Sequence, residues 1–354
     1  MSYQITIEPL GHTVEAREGQ TILDACLRAG VWLPHACCHG LCATCKVRVL
    51  EGEFELGAAS PFALMDFERE ERRVLACCAT VQSDVTIEAD IDEDPDALHW
   101  PVRDFRGRVA QLVDLSPTVK GIHIELDGDG IAFQAGQYVQ VRIPGEEQLR
   151  AFSLANKPSD RNRVELNVRR VPNGKGTAYL HERLRAGDEI KISGPLGRFF
   201  VRVSDPQPLI FMAGGSGLSS PRSMILDLLE RGEARDITLV YGARSRGELY
   251  YHEDFVALGA ANANFHYLPA LNEPTARCAW DGFKGFVHEA ASAHFKSDFR
   301  GHRAYLCGPP PMIEACIRTL MQGRLFEKDI FTEKFLTSAD GSQALARSPL
   351  FRSL

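Results

Sequence analysis

Residues 37–45 read Cys-Cys-His-Gly-Leu-Cys-Ala-Thr-Cys, and a second cysteine pair follows within Leu75-Ala-Cys-Cys78. Seven of the ten cysteines lie in the first 78 residues. In a chain without a visible secretory signal, such clustering favours metal ligation over disulfide bonds. The first quarter of the chain is therefore expected to contain a metal site, and a disulfide-stapled secreted scaffold is excluded as the leading interpretation.

The spacing within this loop indicates the kind of metal centre. Cys37, Cys42 and Cys45 form a C-x4-C-x2-C pattern, which is the spacing of plant-type 2Fe–2S ferredoxins. Cys37 fits the four-residue gap, whereas Cys38 leaves only three residues. The fourth thiolate should come from the distant pair at 77–78, and the spacing alone leaves the choice within that pair open.

Buried free cysteines and a zinc site are the two alternatives. Zinc normally takes paired C-x2-C units, and only Cys42 and Cys45 form such a pair. Small residues such as Gly40 and Ala43 let backbone N–H groups approach the sulfides of a cluster and tune its potential. The pattern therefore favours iron–sulfur. Cys26, which lies on an apolar helix, is expected to pack in the core, as are Cys278 and Cys316.

Composition excludes several classes of protein. The chain has 354 residues, 44% apolar residues and a net charge of −7, and it lacks the run of roughly 18 apolar residues that a membrane span needs. The first 94 residues carry 17 acidic and 7 basic side chains. This acidity argues against a nucleic-acid partner and is compatible with docking on a basic protein surface or simply with solubility. We expect a cytoplasmic protein.

The rhythm of apolar residues divides the chain into three domains. Residues 1–94 predict a small α+β domain, and the acidic, proline-bounded segment 95–104 has the composition of a linker. Residues 105–205 contain closely spaced strands, which indicate an antiparallel barrel or sandwich. Residues 206–337 alternate strands with helices, which predicts a parallel sheet. The tail at 338–354 has no periodicity.

Individual elements follow from periodicity and capping residues. The predicted strands are Gln4–Ile7, Lys46–Leu50, Asp84–Ile87, Arg108–Val113, Gly121–Glu125, Tyr138–Ile143, Val164–Arg170, Glu189–Ser193, Leu209–Ala213, Ile237–Tyr241, Phe265–Leu268 and Ala304–Cys307. One predicted helix begins at Thr21, and four others cover Thr177–Leu184, Pro221–Glu230, His252–Gly259 and Met312–Met321.

Two motifs in the second domain are compatible with a flavin. Arg150-Ala-Phe152-Ser153 follows a strand, although an arginine beside an aromatic ring is usually an ordinary surface pair. Gly174-Lys-Gly-Thr177 precedes a predicted helix, whose positive end could bind a diphosphate. A polar hairpin turn is the alternative for this second motif.

Three motifs in the last domain follow strands. Gly214-Gly-Ser-Gly217 joins a strand to a helix, where glycines permit close approach to a dinucleotide, although Ser220 replaces the third glycine of the usual fingerprint. Tyr241-Gly-Ala-Arg244 lies at the same sheet edge, and its alternative is a turn with a solvated arginine. Cys307-Gly-Pro-Pro-Pro-Met312 is, taken alone, most often a helix start.

In this order, the motifs resemble one family. They run from the cysteine loop through Arg150-x-Phe-Ser, Gly174-x-x-Thr, the glycine loop and Cys307-Gly-Pro-Pro-Pro-Met to Glu333-Lys-Phe335. The chain resembles the reductase components of bacterial aromatic-ring oxygenases, close to those of phenol hydroxylase and toluene monooxygenase. The resemblance implies a β-grasp ferredoxin domain, an antiparallel Greek-key barrel for FAD and an α/β parallel-sheet domain for NADH.

The resemblance also implies roles for single residues. Cys77 becomes the fourth ligand beside Cys37, Cys42 and Cys45, because the family reads Leu-Ala-Cys there. Arg150, Gly174 and Thr177 are implied to bind the FAD phosphates, Phe152 to stack on the flavin ring where most relatives have tyrosine, and Ser153 to lie near flavin N5. Gly215 and Gly217 are implied to receive the NADH diphosphate, with Arg244 near the adenosine ribose. Cys307 and Glu333 are implied to border the nicotinamide, and Phe335 to cover the other flavin face.

The function implied is electron transfer from NADH through FAD and a 2Fe–2S cluster to an oxygenase (hydroxylase) component. Ser153, Cys307 and Glu333 are the expected catalytic residues, and nucleic acid and membrane are not expected partners. Alternatives are the reductase of a Rieske-type ring-hydroxylating dioxygenase, a reductase that serves a small-molecule dehydratase pathway, and a zinc-stabilised binding protein. Arg244 could attract the 2′-phosphate of NADPH, which argues against the NADH preference.

Overall fold

The chain divides into two compact units. The computed structural model describes residues 1–91, 94–146, 149–274 and 279–335. The first unit comprises Met1–Asp104 together with Gly194–Arg198, and the second comprises Phe105–Ser193 and Phe199–Phe335. Within the described ranges, no helix combines the length and the apolar character that crossing a membrane requires.

The first unit is built on a mixed sheet. Its elements are β1 (Ser2–Glu8), β2 (His12–Arg17), α1 (Ile22–Arg28), β3 (Lys46–Glu51), β4 (Phe54–Glu55), α2 (Asp66–Glu70), β5 (Arg73–Leu75), β6 (Thr80–Val81) and β7 (Val85–Glu88). Five strands form one sheet in the order β2-β1-β7-β3-β5, and β4 pairs with β6. β1 and β7 run parallel, whereas the other neighbouring strands are antiparallel. The expected α+β, β-grasp architecture is confirmed.

Helix α1 forms where its capping residues predict it. The Thr21 hydroxyl accepts a hydrogen bond from the Asp24 N–H at 3.2 Å, and Gly30 follows the helix end with a φ of +80°. The helix buries one apolar face, on which Cys26 is fully buried. The prediction that Cys26 packs in the core is therefore confirmed.

The first half of the second unit is a barrel. Its elements are β8 (Arg103–Asp114), β9 (Val119–Leu126), β10 (Tyr138–Val141), β11 (Arg150–Ser153), β12 (Arg163–Arg169), α3 (Lys175–Glu182) and β13 (Glu189–Leu196). The strand order is β11-β10-β13-β8-β9-β12. An antiparallel bridge between Leu154 and Leu166 joins the two end strands, so the sheet nearly closes. Of the predicted pair, barrel or sandwich, the barrel is confirmed.

The second half of this unit is a parallel sheet flanked by helices. Its elements are β14 (Leu209–Gly214), α4 (Ser219–Glu230), β15 (Ile237–Ala243), α5 (His252–Ala261), β16 (Phe265–Leu271), β17 (Phe283–Lys284), α6 (Val287–Phe295), β18 (Arg303–Gly308), α7 (Pro310–Gln322) and β19 (Ile330–Lys334). The order is β17-β16-β15-β14-β18-β19, and all neighbours run parallel. All six residues of β14 are buried, as a central parallel strand requires. The predicted α/β class is confirmed.

Several details differ from the sequence prediction. Helix α3 begins at Lys175, two residues earlier than predicted, because Gly174 already has the extended backbone of an N-cap. The strands β2 and β19 and the helix α6 were not predicted from periodicity. Cys316 is fully buried on α7, as predicted. The predictions for Cys278 and the tail at 338–354 lie outside the described residues.

Candidate functional site

The cysteine loop arranges backbone donors around one thiol. The Cys37 Sγ accepts hydrogen bonds from the N–H groups of His39 and Leu41, each at 3.4 Å. The N–H of Cys37 in turn lies 3.5 Å from the Cys42 Sγ. Donors of this kind stabilise negative charge on a thiolate, which is the form that ligates iron.

The four predicted ligands fall into two pairs. Cys37 hydrogen-bonds to Cys42, and this contact lowers the pKa of the Cys42 thiol to about 5. Cys77 hydrogen-bonds to Cys45, and this contact likewise lowers the pKa of the Cys45 thiol. Two pairs of thiols are what a 2Fe–2S cluster needs, because each iron takes two protein ligands in addition to the bridging sulfides. The donor set therefore fits the cluster.

The loop is packed closely enough to need its glycine. Gly40 has a φ of +72°, and a Cβ there would lie 2.7 Å from the Cys78 Sγ and 3.0 Å from the Ala58 carbonyl oxygen. Cys78 in turn lies 3.6 Å, sulfur to sulfur, from Cys77. Gly40 therefore lets the loop pack directly against the second cysteine pair.

Arg150 lies against the first turn of α3. A Cβ on Gly176 would lie 3.3 Å from the Arg150 Nε, so the glycine leaves room for the guanidinium group. Arg150 also pairs with Glu146 at 3.2 Å. Ala178 is the first residue whose N–H bonds back into the helix, at Gly174, so the preceding N–H groups point out of the helix start. A cation beside a helix N-terminus suits a diphosphate.

Thr177 shapes this turn with its side chain. Its hydroxyl donates to the Gly174 carbonyl oxygen at 3.2 Å and accepts from the Val171 N–H at 3.1 Å. The hydroxyl proton is therefore already used inside the turn. Thr177 has its backbone N–H left to offer to an anion, which differs from a direct side-chain contact.

Two of the expected catalytic residues converge on one oxygen atom of the third, Glu333. Ser153 on β11 and Cys307 on β18 lie 3.3 and 3.5 Å from the Glu333 Oε2, and Ser220 on α4 donates to the same atom at 2.7 Å. Burial raises the pKa of Glu333 to about 7, against the opposing effect of these hydrogen bonds. Burial also raises the pKa of Cys307 far above its usual range. The cluster joins the barrel to the parallel sheet.

Phe152 and Phe335 are partly buried. Phe152 pairs across the ladder with Val139 and packs on the barrel core. Phe335 packs on the core of the parallel sheet, and its N–H donates to the Gly308 carbonyl oxygen at 3.0 Å. Each ring is therefore held by its own half of the unit.

The glycine loop after β14 lies beside an arginine that belongs to none of the sequence motifs. A Cβ on Gly215 would lie 3.5 Å from an Arg169 guanidinium nitrogen. Arg169 comes from β12 of the barrel, and among the residues that the structure describes it makes no side-chain hydrogen bond or ion pair. Gly217 has a different role, because a Cβ there would lie 2.3 Å from the Cys307 carbonyl oxygen. No sequence signal distinguished Arg169 from its charged neighbours.

Arg244 lies at the end of β15, as predicted, but it has a partner. Its Nε lies 3.0 Å from Glu248 Oε2, and a second guanidinium nitrogen contacts the other carboxylate oxygen. The Arg244 side chain is 53% exposed. The arginine is therefore accessible but already neutralised by a carboxylate.

Three protein families match consecutive parts of the chain. Residues 5–82 match the 2Fe-2S iron-sulfur cluster binding domain, residues 107–201 the oxidoreductase FAD-binding domain, and residues 211–318 the oxidoreductase NAD-binding domain. These matches follow the order in which the thiol pairs, the Arg150 turn and the glycine loop occur.

Full-length relatives and solved structures agree with this order. The chain is 61% identical to the reductase component DmpP of phenol 2-monooxygenase from Pseudomonas sp. (strain CF600) and 58% identical to the phenol hydroxylase P5 protein of Acinetobacter pittii, in each case over the whole of both chains. The crystal structure of the Amycolatopsis cytochrome P450 reductase GcoB superposes with a TM-score of 0.87 at 32% identity, covering 94% of this chain and 98% of that one.

Proposed function

The chain belongs to the family of flavin iron–sulfur reductase components that serve multicomponent monooxygenases, and we propose that it passes electrons from NADH to the hydroxylase component of a phenol monooxygenase. It is an oxidoreductase with domains for a 2Fe–2S cluster, FAD and NADH. When bound, FAD accepts a hydride and the cluster accepts single electrons, which together convert a two-electron donor into a one-electron source. The residues of the chain bind and orient these groups.

In the FAD domain, Arg150 and the first turn of α3 bind the diphosphate. The guanidinium group lies beside Gly176, where it adds a positive charge to the outward N–H groups of the helix start. Gly174 and Thr177 form the turn that directs these groups. Phe152 stacks on the flavin ring.

In the NADH domain, the loop that contains Gly215 and Gly217 receives the dinucleotide diphosphate, and Arg169 neutralises it from the barrel side. The position of Arg169 supports this role, because its guanidinium group lies beside Gly215 and has no partner among the described residues. Arg244 lies near the adenosine ribose. Binding therefore depends on residues from both halves of the second unit.

Ser153, Cys307 and Glu333 would border the nicotinamide, and Phe335 would lie against the flavin ring. Their convergence is the observation that carries the proposed function, because it forms only where the barrel meets the parallel sheet. Such a cluster can hold the reacting rings in place and can hold a proton on Glu333, whose pKa lies near neutrality.

In the ferredoxin domain, Cys37, Cys42, Cys45 and Cys77 ligate the cluster. We place the protein in the cytoplasm, where thiols remain reduced. No disulfide bond joins any of the nine cysteines of the described ranges, which is compatible with this location.

The proposal is tested by mixing the purified holoprotein with NADH and a phenol hydroxylase component and measuring hydroxylated product. We expect product in proportion to NADH consumed, and none when the reductase is omitted. If small-molecule dyes are reduced but only a Rieske-type dioxygenase or a dehydratase accepts electrons, the partner is wrong. If NADH does not reduce the flavin at all, the electron-transfer function is wrong.

A further inference from the structure

Within the part of the chain that the structure describes, three hydrogen-bond donors reach Glu333, and all of them meet the same oxygen. Ser220 is the closest at 2.7 Å, followed by Ser153 at 3.3 Å and Cys307 at 3.5 Å, all to Oε2. The described residues make no hydrogen bond to Oε1. One oxygen of the carboxylate is therefore held by the protein, and the other remains available to a bound molecule.

Ser220 is built into this position by the loop that precedes it. It is the second residue of α4 and is fully buried. Its neighbour Ser219 differs, because the Ser219 hydroxyl donates to the Ser216 carbonyl oxygen at 3.0 Å and caps the same turn. The two adjacent serines therefore bond to different groups: Ser219 to the Ser216 carbonyl oxygen and Ser220 to the Glu333 carboxylate.

We propose that Ser220 is a positioning residue for the reaction with NADH. Its hydroxyl fixes the Glu333 carboxylate so that Oε1 faces the nicotinamide. The inference rests on the proposed function, in which Glu333 borders the nicotinamide. A buried hydroxyl at 2.7 Å restricts the rotation of the carboxylate. The longer contacts from Ser153 and Cys307 restrict this rotation less.

The same contact affects the charge of Glu333. A hydrogen bond to a carboxylate favours its ionised form, whereas burial favours the protonated form. Among the described residues, Cys307 is the other titratable group in contact with Glu333, and it stays neutral because burial raises its pKa well above its usual range. Loss of the Ser220 hydroxyl should therefore raise the pKa of Glu333.

The test compares S220A with S219A in the FAD- and cluster-loaded protein. The rate of flavin reduction by NADH is measured by stopped flow across a pH range that brackets about 7. We expect the midpoint of the profile to move upward by roughly one pH unit in S220A, since a charge-assisted hydrogen bond is lost. S219A should keep the original midpoint, and S220T, which retains a hydroxyl, should restore it.

An infrared titration of the Glu333 carboxyl band, with E333Q as the reference, gives a readout that does not depend on turnover. The same upward shift in S220A supports the proposal. An unchanged carboxyl titration in S220A, with E333Q still altering the rate profile, overturns it and leaves Ser220 a packing residue. If E333Q keeps the wild-type rate profile, the placement of Glu333 at the nicotinamide fails, and the proposal fails with it.

Discussion

At the scale of single residues, the repeated cysteine at 77–78 is the least determined feature of the sequence. Spacing alone cannot choose between two adjacent thiols. The hydrogen bond between Cys45 and Cys77 supports Cys77 as the fourth ligand, while Cys78 packs against Gly40. The preference for Cys77 thus gains a physical reason, because a ligand must lie beside its partner on the same iron.

Serine substitution tests this choice. C77S should lose the cluster, because a thiolate ligand is removed from the Cys45 pair, whereas C78S should retain it. The measurement is iron and acid-labile sulfide per chain, together with the visible spectrum. C38S is the matched control in the loop and should behave like C78S. A bleached C78S with an intact C77S would exchange the two assignments.

At the scale of elements, the side chain of Arg150 on β11 lies against the first turn of α3. R150A should weaken FAD binding by about tenfold to a hundredfold, because a charge-assisted contact to the diphosphate is lost. The measurement is the dissociation constant of FAD after its removal and titration back. R170A is the control, since Arg170 pairs with Glu182 on the exposed surface. Equal FAD affinity in R150A and the wild type would contradict the assignment.

The turn after β15 bears on the choice of coenzyme. Glu248 pairs with one edge of the Arg244 guanidinium group, through Nε and one terminal nitrogen, and a carboxylate there repels a 2′-phosphate. Because Arg244 is paired with Glu248, it is not the free cation that would favour NADPH. The preference for NADH is therefore expected to depend on the pair and not on the arginine alone.

Removing the charge of Glu248 should reveal the underlying arginine. E248Q should raise kcat/KM for NADPH relative to NADH by about tenfold, because Arg244 becomes free to bind the phosphate. The measurement is kcat/KM for both coenzymes. The double variant R244A/E248Q should lose the gain. An unchanged ratio in E248Q would place the adenosine ribose elsewhere.

At the scale of the whole molecule, a buried ion pair joins the barrel to the parallel sheet within the second unit. Arg222 on α4 donates to Glu165 on β12 at 3.0 Å, and both side chains are mostly buried. The Arg222 guanidinium carbon also lies 4.2 Å from the centre of the Tyr251 ring. These contacts hold the two halves in the arrangement that brings Ser153 to Glu333.

Breaking this pair should cost stability. R222A should lower the free energy of unfolding by about 3 kcal/mol, because it leaves the Glu165 carboxylate buried without its partner. The measurement is urea unfolding of the holoprotein. R222A/E165Q should recover part of the loss, and R170A at the exposed pair should change stability by less than about 1 kcal/mol. A loss in R222A no larger than in R170A would remove the structural role of the pair.

The sequence by itself determined the features that depend on neighbours along the chain. The cysteine loop, the cap of α1 at Thr21 and the glycine loop after β14 are all set by residues a few positions apart, so spacing and propensity predict them. The order of the motifs identified the family, and the strand rhythm predicted the three kinds of domain.

Tertiary structure decided what depends on register and on long separations. Cys307 and Glu333 meet because β18 and β19 pair in parallel with these two residues opposite each other, and β19 was not predicted at all. Ser220 reaches Glu333 across 113 positions, and Arg169 reaches Gly215 from another sheet. No local pattern encodes these meetings, because strand register follows from the packing of whole sheets.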